Sequence, residues 1–304
     1  MNAPAPIALF AYARPVHLER TLAALRRNHL AKESELVIFC DGPREPRHRS
    51  ATEAVRAIAE AECRTGAFRA VSLNLRPGNI GLARSIISGV TELCDRAGRA
   101  IVVEDDLVTS PWFLTFLNDG LDLYAENCDV ASIHAYRYPG RRLPPTFFLR
   151  GADCWGWATW QRAWRKFRPD GAGLLNDIRH RHCEHAFDHS GARQMVRMLE
   201  DQIHGRNDSW AIRWHASAFL AGMVTLYPGT SLVQNIGNDA SGTHCGVDES
   251  YLGELSPGRI PVERIQPVES HEAHREFGRF FEAQKDRASL LGRITRRMKR
   301  FLRK

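Results

Sequence analysis

Four short apolar runs, Ile7–Ala11, Leu36–Phe39, Ala70–Leu73 and Ala100–Val103, divide the first third of the chain at nearly regular intervals. The stretches between them have helical spacing. Leu18, Leu22 and Leu25 recur behind Pro15, a residue suited to the first position of a helix, and Ala51–Cys63 and Gly81–Cys94 read as two more helices. Uninterrupted apolar strands that alternate with helices need cover on both faces, which points to a parallel sheet in an α/β fold. A helix carrying Phe113, Phe116, Leu117 and Leu121, entered through Ser110-Pro111, and a strand at Val130–His134 extend the pattern. After Phe147 the alternation gives way to a stretch rich in Trp, His and polar loops, with helices expected at Thr159–Phe167, Ala192–His204 and Trp210–Leu220. The expected architecture is a Rossmann-like, mostly parallel sheet flanked by helices in residues 1–150. Residues 151–270 form a mixed half of the same domain, and 271–304 form a tail.

Charge separates the tail from the body. The formal net charge is +7, and seven basic residues, Arg293, Arg296, Arg297, Lys299, Arg300, Arg303 and Lys304, lie in the final segment with no acid after Ala288. The rest of the chain is therefore neutral overall, with no basic stripe left to neutralise phosphates, so a nucleic-acid-binding body is excluded. Leu290, Leu291, Ile294, Met298, Phe301 and Leu302 recur at helical spacing among these cations. That pattern reads as an amphipathic helix on an anionic membrane surface, with a disordered basic tail or an acidic partner as alternatives. The longest uncharged apolar stretch, Ala216–Tyr227, is interrupted by Gly222 and falls well short of the roughly 20 residues a spanning helix needs. Met1–Pro6 has no basic leader pattern, and the seven cysteines are scattered without a C-x-x-C pair. Free thiols and a cytoplasmic position, peripheral on the inner membrane face, are the expectation.

The strongest chemical signal is Val102-Val103-Glu104-Asp105-Asp106-Leu107. Open parallel sheets bind their ligands at the carboxyl ends of strands, and the fourth apolar run ends in three consecutive acids. Three carboxylates at one point repel one another, and a divalent cation is the simplest way to offset them. Oxygen ligands favour Mg²⁺ or Mn²⁺, ions that share their shell with substrate phosphates. The plainer alternative is a solvated loop with a helix-capping aspartate.

A strand running into Glu-Asp-Asp after a βαβαβαβ half resembles the acidic-motif region (DXD-like) of GT-A-fold glycosyltransferases, including family 2-like bacterial transferases. The pattern is similar to the V-V-E-D-D-L-x-x-x-P-x-F stretch of the N-acetylglucosaminyltransferase I type, with Pro111 and Phe113 in the matching places. The resemblance extends in motif order from Pro6 to His244. It implies that Asp106 contacts the metal and that Glu104 and Asp105 address the sugar or ribose of a nucleotide-sugar donor. It also implies that Arg14 sits beside the nucleotide. Asp41, in Asp41-Gly42-Pro43, would accept from a uracil-like base, and Asn79 and Arg84, in Asn79-Ile80-Gly81-Leu82-Ala83-Arg84, would approach the diphosphate. An aromatic Gly-Trp segment in that family corresponds to Trp155-Gly156-Trp157, whose rings would shape a sugar pocket, although a core role is open for either. Asp208 in Asp208-Ser209-Trp210 matches the family's catalytic aspartate, with Ser209 replacing the second acid, and an N-cap role for Asp208 is the alternative. His244, in the polar turn that begins at Asn235, would be a late metal ligand. A separate cluster, His180, His182, Cys183, His185 and His189, offers zinc-ligand chemistry, with His185 and His189 spaced to share a helix face.

The function implied is metal-dependent, inverting transfer of a hexose or N-acetylhexosamine from a nucleoside diphosphate, a UDP-sugar by preference. The acceptor would be a glycan or lipid-linked hydroxyl of the kind used in polysaccharide biosynthesis. A nucleotidyltransferase would share the sheet and acids, but it carries a Gly-rich basic loop after its first strand, where this chain has Ala11-Tyr12-Ala13-Arg14-Pro15. A non-catalytic, membrane-associated glycan-binding protein would account for the tryptophans and the tail but leaves three packed acids unexplained.

Overall fold

The computed structural model describes residues 3–239 and 249–301, and for 288–301 the backbone alone. The first half follows the expected alternation: β1 (Ile7–Ala11), α1 (Pro15–Arg26), β2 (Glu35–Cys40), α2 (Arg49–Glu62), β3 (Ala70–Leu75), α3 (Leu82–Ala97) and β4 (Arg99–Glu104). A short strand β5 (Leu107–Thr109), helix α4 (Phe113–Leu123), β6 (Val130–His134) and β7 (Thr146–Arg150) come next. The second half contains β8 (Trp157–Trp160), α5 (Gln161–Trp164), α6 (Gly171–His180), α7 (Glu184–Phe187), α8 (Met195–Ile203), α9 (Trp210–Leu220), β9 (Val224–Pro228), β10 (Val233–Asn235) and α10 (His271–Phe301).

Eight strands form one sheet in the order β3-β2-β1-β4-β8-β6-β9-β7, and β5 and β10 form a separate antiparallel pair. The β3-β2-β1-β4 block is parallel throughout, β8 runs antiparallel between β4 and β6, β9 is parallel to β6, and β7 is antiparallel at the edge. The fold is thus α/β with a mostly parallel sheet and a mixed second half. All residues of β1 and β6 are buried, as strands covered on both faces must be. Leu18, Leu22 and Leu25 of α1 are each fully buried, and each such side chain contributes about 1.5–3 kcal/mol. The order reverses at β1: β2 and β3 lie on one side of it and β4 on the other. The crevice outside the carboxyl ends of β1 and β4 is therefore the switch point of the sheet, where ligands bind in such folds.

Three elements differ from the sequence reading. Thr159 and Trp160, expected to open a helix, instead end the strand Trp157–Trp160, which is inserted between β4 and β6 with Val102 opposite Trp157. Helix α6 was not anticipated. It opens with Gly171 and Gly173 and is held by the Asp170 side chain, which accepts from the Gly173 amide at 3.1 Å. The final helix starts at His271, well upstream of the basic segment, with Ala273, Phe277 and Phe281 buried against the body. The side chains of the basic tail lie outside the described residues. No helix among the described residues is long and apolar enough to cross a membrane.

Candidate active site

Glu104 is the last residue of β4 and pairs with Phe10 of β1, so Asp105 and Asp106 turn directly over the switch point. Both aspartates are buried, at 3% and 8% exposure. Their surroundings come from β1 and α1. The Tyr12 amide donates to Asp105 Oδ2 at 3.1 Å, Thr21 Oγ1 donates to the Asp105 carbonyl at 2.8 Å, and the Arg14 guanidinium pairs with Asp105 Oδ1. The same guanidinium lies 2.9 Å from Asp106 Oδ2. Burial alone would disfavour the charged Arg14, but Asp105 and Asp106 outweigh it and raise its pKa above the usual arginine value. Arg14 is thus a clamp on the acids, a role that the donor-side reading of this residue did not include.

One guanidinium faces three carboxylates. No hydrogen bond to the Glu104 carboxylate occurs among the described residues. Burial, reinforced by Asp106 and Asp105 and opposed by Arg14, raises its pKa to about 8. Asp105 is also raised, first by burial, with Arg14 pulling it back down. The local charge deficit suits a cation. Of the three, Asp106 is the residue that could ligate a metal, because among the described residues only its Oδ2 has a partner, whereas Asp105 uses both oxygens internally. Asp105 was expected to address the donor; instead it anchors Arg14. A shell of one or two carboxylates completed by substrate phosphates is the usual arrangement for Mg²⁺, so a single open carboxylate is sufficient.

The loop after β10 closes over this point. The Ile236 amide donates to the Asp106 carbonyl at 2.8 Å, and Gly237 approaches so closely that an added Cβ would stand 2.1 Å from Asp106 Oδ2. His17 Nε2 lies 3.1 Å from Asp239 Oδ2 and ties the loop to α1. His244 lies outside the described residues. Gly237 was legible only as part of a polar turn, since its tightness depends on Asp106, which is distant in sequence.

The other donor-side residues divide sharply. Asp41 is 5% exposed and fully engaged: Oδ2 accepts from the Ile80 and Gly81 amides at 3.0 and 3.2 Å, and Oδ1 from Arg76 at 3.0 Å. It holds its own turn together, which leaves little of it for a base and corrects the uracil reading. Asn79 is half-buried in that turn. Arg84 is exposed on the first turn of α3 and lines an open groove with Ser88 and Asp95.

The two tryptophans also part. Trp157 is 0% exposed, stacks on Trp210 at 5.5 Å and contacts Trp164 and Trp214, so it belongs to the core and has no face for a sugar. Trp155 is half-buried and meets Tyr136 and Tyr251 edge-on at 4.7 and 5.6 Å. Gly156, at φ 66°, is small because Phe113 fills the space a Cβ would take, not to admit a ligand. Asp153 and Cys154, beside Trp155, were passed over in the sequence. Burial raises the Cys154 thiol well above its usual value, and Asp153, Glu104 and Asp106 add to the shift, so this segment lies within electrostatic reach of the acids.

Asp208 sits in the loop before α9, with its side chain 68% exposed and Oδ1 accepting from Arg213 at 3.1 Å. The N-cap is Ser209, which accepts from the Ile212 amide at 3.2 Å, so the capping alternative for Asp208 is overturned. The histidine cluster does not form a helix face. Helix α7 stops at Phe187, and His189 has a left-handed φ of 54° and stacks instead on His274 at 3.9 Å. Among the described residues no group of His, Cys, Asp or Glu side chains has the arrangement of a metal site.

No protein-family model matches the sequence, and neither does any curated protein. Among solved structures, the chain is similar to a mannosyltransferase from Pyrobaculum calidifontis in complex with GDP-Man and Mn²⁺. That match has 15% identity over 45% of this chain and 37% of that one, with a TM-score of 0.34. It is also similar to the apo form of the glycosyltransferase GlyE of Streptococcus pneumoniae TIGR4, at 9% identity over 67% of this chain and 43% of that one, again with a TM-score of 0.34. The chain therefore matches less than half the length of either structure. Likenesses at this level assign no residue and no reaction.

Proposed function

We propose that this chain is a glycosyltransferase that moves a sugar from a nucleoside diphosphate to an acceptor hydroxyl, with inversion at the anomeric carbon. The observation that carries the reading is the charge deficit at the switch point, where Asp105 and Asp106 divide the single guanidinium of Arg14 and Glu104 crowds them. A divalent ion bound there, Mn²⁺ or Mg²⁺, would neutralise the leaving diphosphate as a Lewis acid. Asp106 would hold it, with its second oxygen open. Asp105 keeps Arg14 in place beside the diphosphate, and Glu104 faces the donor sugar. Trp155 offers the flat apolar face on which a sugar ring packs. Asp208 is the proposed base that takes the acceptor proton, and its exposure suits a group that meets a second substrate from solvent. His244 is retained as a proposed second ligand.

The donor nucleotide has no recognisable reader once Asp41 is engaged, so the UDP preference rests on the resemblance alone. The basic tail, continued from α10, is proposed to hold the enzyme on an anionic membrane near a glycan or lipid-linked acceptor. The test is donor hydrolysis and transfer across a panel of UDP-, GDP- and dTDP-sugars, with and without Mn²⁺. Metal-dependent release of one nucleotide supports the reading. Turnover of no donor, or full turnover in chelator by Asp106→Ala, contradicts it.

A further inference from the structure

Strand β3 ends the sheet, and nothing among the described residues pairs with its outer side. Its register fixes which groups face outward. The Arg76 amide donates to the Cys40 carbonyl at 3.0 Å while Leu75 stands opposite Cys40, so the even-numbered residues of β3 turn their N–H and C=O groups towards β2. Val71, Leu73 and Leu75 therefore turn theirs outward. Their side chains share one face of the sheet. Right-handed crossovers put α1 and α2, which step the sheet one way, on one face and α3, which steps back, on the other. Asn74 pairs with Phe39, whose ring lies against Gly89 of α3, so the even-numbered side chains face α3 and Val71, Leu73 and Leu75 lie on the α2 side. Val71 and Leu73 are half-buried there, and Leu75 is exposed. Charges, prolines and bulges normally protect an open edge. Ala70–Leu75 has no charge and no proline, and it pairs with β2 without a bulge.

The flank of α2 above this edge carries a matching order of charge. Glu62 pairs with Arg26 of α1, whereas Arg56 donates to the Arg76 carbonyl at the end of β3. One flank of α2 thus faces α1 and the other faces the open edge. Arg49, Glu53 and Glu60 share the Arg56 flank, spaced three and four residues apart, and all three are exposed. None of the three forms an ion pair among the described residues. The order along the flank is base, acid, base, acid. Reversed, it reads acid, base, acid, base, so an antiparallel copy presents opposite charges along its length, as a two-fold interface requires. The strand is self-complementary in the same sense. A two-fold axis through Leu73 sets Leu73 against its own copy and Val71 against the copy's Leu75, and each pair exchanges N–H and C=O groups. The α2 side then carries an unbroken apolar row. On the α3 side Ser72 meets Asn74, and no like charges stand directly opposite within the strand.

We propose that two copies of this chain join across β3, antiparallel about Leu73, with arginines on one α2 flank meeting glutamates on the other. The inference is independent of the transfer reading, so a failed donor assay leaves it standing. It is tested on the full chain, without ligand, by sedimentation velocity over a concentration series. The expected result is an equilibrium between the 34.4 kDa chain and its dimer. Leu75→Lys, at an exposed position opposite the copy's Val71, should raise the dissociation constant about tenfold or more without unfolding the chain by circular dichroism. Charge on α2 provides a test that leaves the strand untouched. Glu53→Lys with Glu60→Lys makes the flank wholly basic. Arg49→Glu with Arg56→Gln makes it acidic and keeps an amide to donate to the Arg76 carbonyl. Each double variant alone should be monomeric, and the two mixed should associate as a heterodimer in native mass spectrometry. Glu92→Lys, exposed on α3, should leave the dimer unchanged. A parent chain that stays monomeric throughout the micromolar range would overturn the proposal. So would a dimer that Leu75→Lys leaves intact, or folded double variants that fail to associate on mixing.

Discussion

Aspartates stand beyond the carboxyl ends of the two strands that flank β1, and they are neutralised in opposite ways. Asp41, after β2, has both oxygens engaged, Oδ1 by Arg76 and Oδ2 by two backbone amides. Asp105 and Asp106, after β4, must divide one guanidinium while Glu104 crowds them from behind. The two sites are equally buried and lie on the same edge of the same sheet. Burial and position therefore do not distinguish the two sites; the local balance of charge does. An acid whose partners are complete fixes the chain, whereas acids in deficit are available to a cation.

The comparison breaks most visibly at Asp106. Asp106→Asn should lower metal-dependent turnover by about a hundred- to a thousandfold, the range for removing a preorganised electrostatic contact. Its melting temperature should hold or rise, because a repelling charge has gone. Retained turnover, or loss of turnover only through unfolding, would remove the distinction drawn here.

Asp208 gives a sharper but smaller test. Asp208→Asn should cut turnover about a hundredfold, as expected for a lost general base, with donor affinity unchanged. Stability should stay within about 1 kcal/mol, because its pair with Arg213 is exposed on the acid's side and Ser209 retains the cap. Unchanged turnover would leave the loop before α9 without a catalytic part.

The smallest effect on turnover belongs to Asp41→Asn. The variant should lose about 2 kcal/mol of stability, since an amide cannot accept from two N–H groups and a guanidinium at once. Turnover per folded molecule should stay within a few-fold. A variant as stable as the parent that no longer binds donor would return Asp41 to the nucleotide site.

How far these features can be read from sequence follows from how local they are. The β1–β4 block was legible because continuous apolar runs and helical spacing are local signals, and β1 and β2 have few polar residues to confuse them. The acids at the end of β4 were legible for the same reason. Their clamp was not, because Arg14 reaches them across 91 positions of sequence. Trp157 could not be told from Trp155 by type or spacing. One is enclosed by Trp164, Trp210 and Trp214, which arrive from two different helices, and the other is half-buried against Tyr136 and Tyr251. Thr159 and Trp160 of β8 read as the start of a helix because a four-residue strand carries too little periodicity to reveal its insertion between β4 and β6. The buried face of α10 was there to be read: Ala273, Phe277 and Phe281 recur every four residues, but the dense charges around them drew attention to the tail instead.

The acids after β4 are proposed to hold a divalent ion jointly with a nucleoside diphosphate. The most direct measurement is Mn²⁺ binding by electron paramagnetic resonance, on the full chain and on Asp106→Asn, each with and without UDP or GDP. Mn²⁺ alone should bind weakly, because Arg14 already occupies one Asp106 oxygen. Binding should be at least tenfold tighter when the preferred nucleotide is present, and that gain should be lost in Asp106→Asn. Mn²⁺ binding that ignores both nucleotides, or that is the same in the parent chain and the variant, would contradict it.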